Sequence, residues 1–308
     1  MTSLQGNGQT AQVVVVIGLG AMGMGMALSL KRAGLDVIGI DISEDAVSRF
    51  VQAGGRSAPI ADAAKQADTV VAVVVNAAQT ESVLFGADGI ADILRPGTVF
   101  VASATMDPAV ARKLASQLEA KGVHYLDAPI SGGAARAAKG ELTIMASGTR
   151  AAFGSARPAL DAMAAKVYEL GDAAGGGAAF KMINQLLAGV HIAAACEAIS
   201  LAAKLGLDLD KVYEVITGSA GNSWMFENRI PHVLAGDYTP LSAVDIFVKD
   251  LGIIQDMARS ERYPVPVSAA ALQMYLAASG AGMGRDDDSS LARLYAQLSG
   301  AALPEKTR

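Results

Sequence analysis

Lys181 and Asn184 stand three residues apart in a stretch of helical periodicity, so a cation and an amide share one helix face. Together they can hold a substrate hydroxyl and a carboxylate. On residue types alone, Lys181 also fits a surface lysine on an amphipathic helix. Ser131, Gly132 and Gly133 follow a strand and a proline. The backbone N–H groups of such a turn can cradle a carboxylate while the Ser131 hydroxyl adds a donor; an ordinary glycine turn is the alternative. Nearer the start of the chain, VVVVIGLGAMG sets Gly18, Gly20 and Gly23 between five β-favouring residues, Val13–Ile17, and the helix-forming series Met22, Met26, Leu30. Glycine spacing alone decides little, because 33 of 308 residues are glycine. The strand–turn–helix setting carries the argument: Gly18 turns sharply, Gly20 admits a pyrophosphate, Gly23 packs helix on strand, and the helix start faces the anion. Gly18, Leu19, Gly20, Ala21, Met22 and Gly23 are therefore candidate cofactor contacts. The next apolar run, Val37–Ile40, ends in Asp41. That is the place where a carboxylate accepts hydrogen bonds from an adenosine ribose and repels a 2′-phosphate, and no arginine follows it directly, so the expected cofactor is NAD.

The elements that position these groups alternate. After the glycine loop the helix from Met22 closes at Gly34, and Leu35–Ile40 is the second strand. A helix follows Ser43, a short one spans Ala61–Gln66, and Thr69–Val75 is a continuous apolar run, read as a strand buried on both faces. Strands at Thr98–Ala102, Val123–Asp127, Leu142–Ala146 and Val167–Leu170 are separated by helices from Pro108 and over Ala151–Leu160. Strand–helix alternation is the doubly wound pattern. Beyond Gly175-Gly176-Gly177, which reads as a hinge, nearly everything is helical, apart from an irregular aromatic stretch up to Tyr238. The fold class is thus α/β, an N-terminal Rossmann domain over residues 1–174, with 1–11 expected to be disordered, followed by an all-α domain over 175–308.

Composition narrows the function. With 52% hydrophobic, 5% aromatic and 18% charged residues, the interior is built from small aliphatic side chains, as close packing of helices on a parallel sheet requires. A net charge of −5 and no basic patch speak against nucleic acid and anionic membranes as partners. The single cysteine, Cys196, excludes an internal disulfide, fits a reducing compartment and lies in an apolar helical run, where it is expected to be buried. No signal peptide or membrane span is read, so the expected location is the cytoplasm. Asp286-Asp287-Asp288 reads as a solvated helix start rather than a metal site, and no metal is expected. His124 and His191 are read as structural.

Four ordered motifs carry a family resemblance: GLGAMG at Gly18–Gly23, DAPISGGAARAAKGELTIMASG at Asp127–Gly148, KMINQ at Lys181–Gln185 and FVKDLG at Phe247–Gly252. Together they resemble the β-hydroxyacid dehydrogenase family. The resemblance implies a substrate pocket in the cleft between a Rossmann and a helical domain, with Lys181 as the essential lysine. Burial would favour its neutral amine, which can accept and return a proton. It implies that Ser131, Gly132, Gly133 and Asn184 hold the substrate, that Thr105 lies beside the nicotinamide, and that Lys249 closes over the cofactor. Lys249-Asp250 could otherwise be a surface charge pair. Asn76, where the family more often shows Leu-Pro, is expected near the cofactor at the end of the third strand. Arg136 departs from the family's small residue and is left out of the site. VVVNAAQTESVLFG at Val73–Gly86 and PHVLAGDYTPLSAVDIFVKDLG at Pro231–Gly252 resemble the L-threonate-oxidising branch, implying NAD-dependent oxidation at C2 to 2-dehydro-L-erythronate. The alternatives are the 3-hydroxyisobutyrate and tartronate semialdehyde branches, or a non-catalytic NAD-binding module; retention of Lys181 disfavours the last. Alanine-rich helices and family habit suggest a homodimer or homotetramer.

Overall fold

Continuous apolar runs become central strands because both of their faces are covered. In the computed structural model, which describes residues 11–306, β1 (Val13–Ile17) turns Val14 and Val16 into one core and Val15 and Ile17 into another. The chain continues through α1 (Ala21–Arg32), β2 (Asp36–Ile40), α2 (Glu44–Gln52), α3 (Ile60–Gln66), β3 (Thr69–Ala72), α4 (Ala77–Phe85), β4 (Val99–Ala102), α5 (Pro108–Glu119) and β5 (His124–Asp127). These strands form a parallel sheet in the order β2-β1-β3-β4-β5. In β4, Val99 and Val101 face the first core and Phe100 and Ala102 the second, the period of two expected for a strand between helical layers.

The later strands do not extend this sheet. After β6 (Ile130–Ser131), α6 (Gly133–Lys139), β7 (Leu142–Ala146), α7 (Arg150–Met163) and β8 (Ala164–Glu169), a separate three-stranded sheet forms in the order β6-β7-β8. An isolated antiparallel bridge, Asp127 to Ser147, touches the two sheets together. The run expected as a strand to Val75 ends at Ala72. Asn76 caps α4 instead, its Oδ1 accepting the Gln79 N–H at 2.8 Å. Neither α4 nor α6 is anticipated from the sequence. The expected disorder of residues 1–11 falls, apart from Ala11, outside the described residues; Gln12 is tied by its Nε2 to Thr69 Oγ1 and the Ser155 carbonyl.

By contact density the chain divides into two compact units, Met1–Lys181 and Met182–Arg308. The division falls inside α8 (Gly176–Lys204), and the second unit continues with α9 (Leu209–Thr217), α10 (Trp224–Ala235), α11 (Val244–Ser260), α12 (Pro266–Ala278) and α13 (Leu291–Ser299). Its core gathers Met182, Ile192, Cys196, Ile230, Phe247, Leu251 and Tyr275. The Cys196 thiol is fully buried, and burial pushes its pKa up, so it is packing rather than a nucleophile.

Two readings of this region are corrected. The stretch expected to be irregular up to Tyr238 contains α10, which starts on a Ser223 cap to the Phe226 N–H and tolerates Pro231 in its interior. The carbonyl that the proline leaves without its helical donor, that of Glu227, accepts the Tyr213 hydroxyl at 3.1 Å. The acidic run is not solvated: Asp287 and Asp288 are fully buried. Asp287 accepts the N–H groups of Leu241 and Ser289, while Asp288 pairs with buried Arg229, Nε to Oδ1 at 2.6 Å and Nη2 to Oδ2 at 3.2 Å. Burial pushes the Asp288 carboxyl up to about 6, against the pull of Arg229. Arg229→Leu strands this carboxylate and is expected to cost about 3–5 kcal/mol at neutral pH. A folded-state pKa above the unfolded value means that folding takes up a proton as pH falls. Without Arg229 the Asp288 pKa rises further, so the deficit should narrow between pH 8 and pH 6. Urea midpoints of both proteins across that range check it; a pH-independent deficit would locate the effect elsewhere.

Candidate functional site

The carboxyl edge of the parallel sheet collects Gly18–Gly23, Asp41, Asn76 and Thr105, because β1, β2, β3 and β4 all end there, whereas Lys249 lies in the second unit. Chain order reverses between β1 and its two neighbours β2 and β3, the switch point at which such sheets bind ligands. At this point Gly18 has φ +98°, and a Cβ there would lie 2.4 Å from the Val73 carbonyl oxygen. A Cβ on Gly23 would lie 1.8 Å from the Gly18 carbonyl oxygen, so helix packs on strand only with glycine. A Cβ on Gly20 would meet open space, which leaves an exposed cradle. The first turn of α1, from Ala21 and Met22, carries no acidic residue to compete with an anion. Asp41 is drawn onto this loop: its Oδ2 accepts the Leu19 N–H at 2.6 Å and its Oδ1 the Ser43 N–H at 2.8 Å. Each carboxylate oxygen keeps a further lone pair for a hydroxyl donor. A pyrophosphate and a ribose fit these residues. Thr105 lies in the loop after β4, and Asn76 opens α4 rather than ending a strand.

The second cluster of the first unit is built on the segment 127–133. Asp127, fully buried at the end of β5, accepts the N–H groups of Gly175 at 3.0 Å and Ala178 at 2.8 Å through Oδ2. The Ser147 hydroxyl accepts the Gly177 N–H at 2.9 Å and donates to Asp127 Oδ2 at 3.2 Å. Burial pushes the Asp127 carboxyl up to about 6, against the amide donors, the Ser147 hydroxyl and the charge of Arg112. The glycine run expected as a hinge is thus the docked start of α8: a Cβ on Gly177 would lie 2.3 Å from the Met145 carbonyl oxygen. From this start α8 carries Lys181, which is buried, and its Nζ donates to the Ile130 carbonyl at 2.8 Å. Ser131 ends β6 and is followed by Gly132 with φ +134° and Gly133 with φ +76°, both in backbone conformations that side-chain-bearing residues avoid. Arg136 is exposed on α6, its aliphatic stem against Gly132.

In the second unit Asn184 and Lys249 belong to one chain of hydrogen bonds. Asn184 Nδ2 donates to Gln185 Oε1 at 3.0 Å, Gln185 Nε2 to Asp250 Oδ2 at 2.5 Å, and Lys249 Nζ to Asp250 Oδ1 at 2.5 Å. Asp250 is fully buried, so the pair is not the surface ion pair that composition allows. His124 sits at the amino end of β5, away from the edge that carries the cofactor residues, and His191 is exposed on α8. Sequence reasoning passed over Asp127, Ser147, Gln185 and Asp250. All four lie within the motifs that carry the family resemblance, which is the signal that could have found them.

Residues 13–171 match the family described as the NAD-binding domain of 6-phosphogluconate dehydrogenase. Residues 175–295 match the one described as NAD-binding of NADP-dependent 3-hydroxyisobutyrate dehydrogenase. L-Threonate dehydrogenase of Cupriavidus necator is 55% identical over 90% of this chain and 93% of its own length; that of Haemophilus influenzae is 51% identical over 91% and 92%. A crystal structure of 3-hydroxyisobutyrate dehydrogenase from Salmonella typhimurium, 50% identical, superposes with a TM-score of 0.88 over 92% of this chain and 99% of that one. With matched domains covering both halves, and a glycine loop, an aspartate held against it and a buried lysine in place, the chain belongs to the NAD-binding hydroxyacid dehydrogenases related to 3-hydroxyisobutyrate dehydrogenase.

Proposed function

We propose that the protein oxidises L-threonate at C2 to 2-dehydro-L-erythronate with NAD, Lys181 acting as the general base and, in reverse, the general acid. The observation that carries the chemistry is the buried Lys181 amine, 2.8 Å from the Ile130 carbonyl and so at the head of the Ser131-Gly132-Gly133 turn. A hydroxyl presented there gives its proton to Nζ, while the Ser131 hydroxyl and the N–H groups of the turn hold the neighbouring carboxylate. Asn184, one turn further along the lysine helix, supplies an amide to the same substrate. Gly18–Gly23, Asp41, Asn76, Thr105 and Lys249 would hold NAD, which would supply the hydride acceptor. The names of the Cupriavidus and Haemophilus relatives support the four-carbon substrate; the name of the Salmonella structure favours 3-hydroxyisobutyrate as the second reading. Reduction of NAD, followed by nicotinamide absorbance, with a panel of hydroxy acids is the test. Silence on the whole panel would favour a binding module.

The coenzyme follows from Asp41. A 2′-phosphate placed against this carboxylate meets like charge, and Ile42, the next residue, is fully exposed and offers no compensating cation. Such juxtaposition costs several kcal/mol, so NAD is expected to exceed NADP in catalytic efficiency by about 10²-fold or more. Asp41→Ser should narrow the ratio; equal use of both coenzymes by the native protein would remove the argument. The lone buried cysteine supports a cytoplasmic location. An exposed apolar stripe of Ile183, Leu187 and Leu201 on α8, with Leu205 just past its end, supports association with further copies of the chain.

A further inference from the structure

The start of α8 is held by acceptors that the proposed chemistry does not use. A helix normally finds such acceptors in the residue just before it. Here they come from far back in the chain: Asp127 is 48 and 51 residues from the two amides it holds, and Ser147 is 30 from its own. The docking leaves no slack. A Cβ on Gly176 would lie 2.6 Å from the Leu170 carbonyl oxygen, and one on Gly177 2.3 Å from that of Met145, so the helix start cannot press deeper. Withdrawing it would break three N–H bonds to two buried acceptors, Asp127 and the Ser147 hydroxyl, and leave these amide donors to be satisfied elsewhere. Lys181 lies three residues beyond Ala178, and its amine reaches back to Ile130, three residues beyond Asp127. One short segment therefore grips the helix by a side chain at one end and receives the lysine on a main-chain carbonyl at the other.

We infer that Asp127, assisted by Ser147, is a positioning residue for Lys181, fixing the depth at which the amine stands over the Ile130–Gly133 turn. The inference rests on the reading of Lys181 as the proton-transfer group. A misplacement of about 1 Å can cost on the order of 10²-fold in rate even when the altered residue is remote from the chemistry. The glycine loop that binds the coenzyme is held by Asp41, and Asp127 shares no hydrogen bond with it.

Four variants of the full chain separate the possibilities: Asp127→Ala, Asp127→Asn, Ser147→Ala and Lys181→Ala. Steady-state kinetics with L-threonate and fluorescence titration with NADH are read for each. Asp127→Ala is expected to lower kcat by about tenfold to 10²-fold with the NADH dissociation constant within about twofold of the native value. Asp127→Asn keeps an acceptor oxygen for the amides and should recover most of kcat, and Ser147→Ala should lose severalfold. If Lys181→Ala is inactive while Ser147→Ala and the folded Asp127 variants keep native kcat, the positioning role is overturned. Parallel loss of kcat and NADH-binding stoichiometry would equally overturn it, since that marks a merely structural residue. If Asp127→Ala does not fold, Asp127→Asn and Ser147→Ala decide by the same split. Native rates in Lys181→Ala would instead remove the reading of the lysine itself, a distinguishable failure.

Discussion

L-Threonate is expected to exceed 3-hydroxyisobutyrate and D-glycerate in kcat/KM by roughly 10⁴-fold or more, the discrimination a site attains when it is built to hydrogen-bond hydroxyls that an analogue lacks. In the proposed reading, the groups at Lys181 and the Ser131–Gly133 turn would select only a hydroxyl near a carboxylate. They say little about the remaining carbons, whose hydroxyls need further polar partners. From the sequence, the stretch Ser219–Tyr238, with Asn222, Ser223, Trp224 and Phe226, is the expected source, and the structure thins these candidates. Ser223 is engaged as the cap of α10 and Phe226 is core, whereas Trp224 is exposed and Asn222 is half-buried, its amide donating to the Thr217 carbonyl and to Glu227. An acid that lacks a hydroxyl leaves such groups desolvated and unpaired, a loss that falls on the transition state. A steady-state panel of the three acids checks this. A panel led by either smaller acid would reject L-threonate as the substrate and leave the dehydrogenase assignment standing.

Lys181→Ala should lower turnover by about 10²–10⁴-fold, the range for a general acid–base group, while NADH still binds. The amine is buried, so its removal also leaves the Ile130 carbonyl without this donor, and some loss of stability is expected. Coenzyme affinity should hold because the glycine loop is anchored through Leu19 and Asp41 rather than through the lysine. Rate and nucleotide binding measured on one preparation separate the two effects. Near-native turnover would return attention to a histidine, although His124 at the amino end of β5 and exposed His191 are poorly placed candidates.

What was legible in the sequence was local. The glycine loop is readable because strand, turn and helix lie in one run and Gly18 and Gly23 answer contacts within a few residues or just past the adjacent strand, while Gly20 leaves open space. Asp41 is readable because the βαβ unit fixes its distance along the chain. The failures share a cause, partners remote in sequence. Asp287 and Asp288 look like solvent-facing acids until Arg229, on another helix, gives them a reason to be buried. Pro231 looks like a helix breaker until the Tyr213 hydroxyl, from α9, supplies the donor it removes. Strand ends fail differently: Val73–Val75 has the apolar character of a strand, but Asn76 starts a helix and draws the chain out of the sheet. The tail of strands at 130–169 follows the right periodicity but pairs within its own sheet, a choice of partner that periodicity does not encode.

The crowded seat of α8 also bears on how such genes can recombine. A crossover at residues 174–175, between the two matched family domains, is the obvious place to join halves from different relatives. Yet it would leave Asp127 and Ser147 in one parent and the amides they receive in the other. The incoming half is accepted only if it brings glycine at the positions of Gly176 and Gly177, since even a methyl group there meets a carbonyl oxygen. The junction is permissive in length and strict in two residues. A library of chimeras cut there would be sorted by that pair before substrate preference came into play.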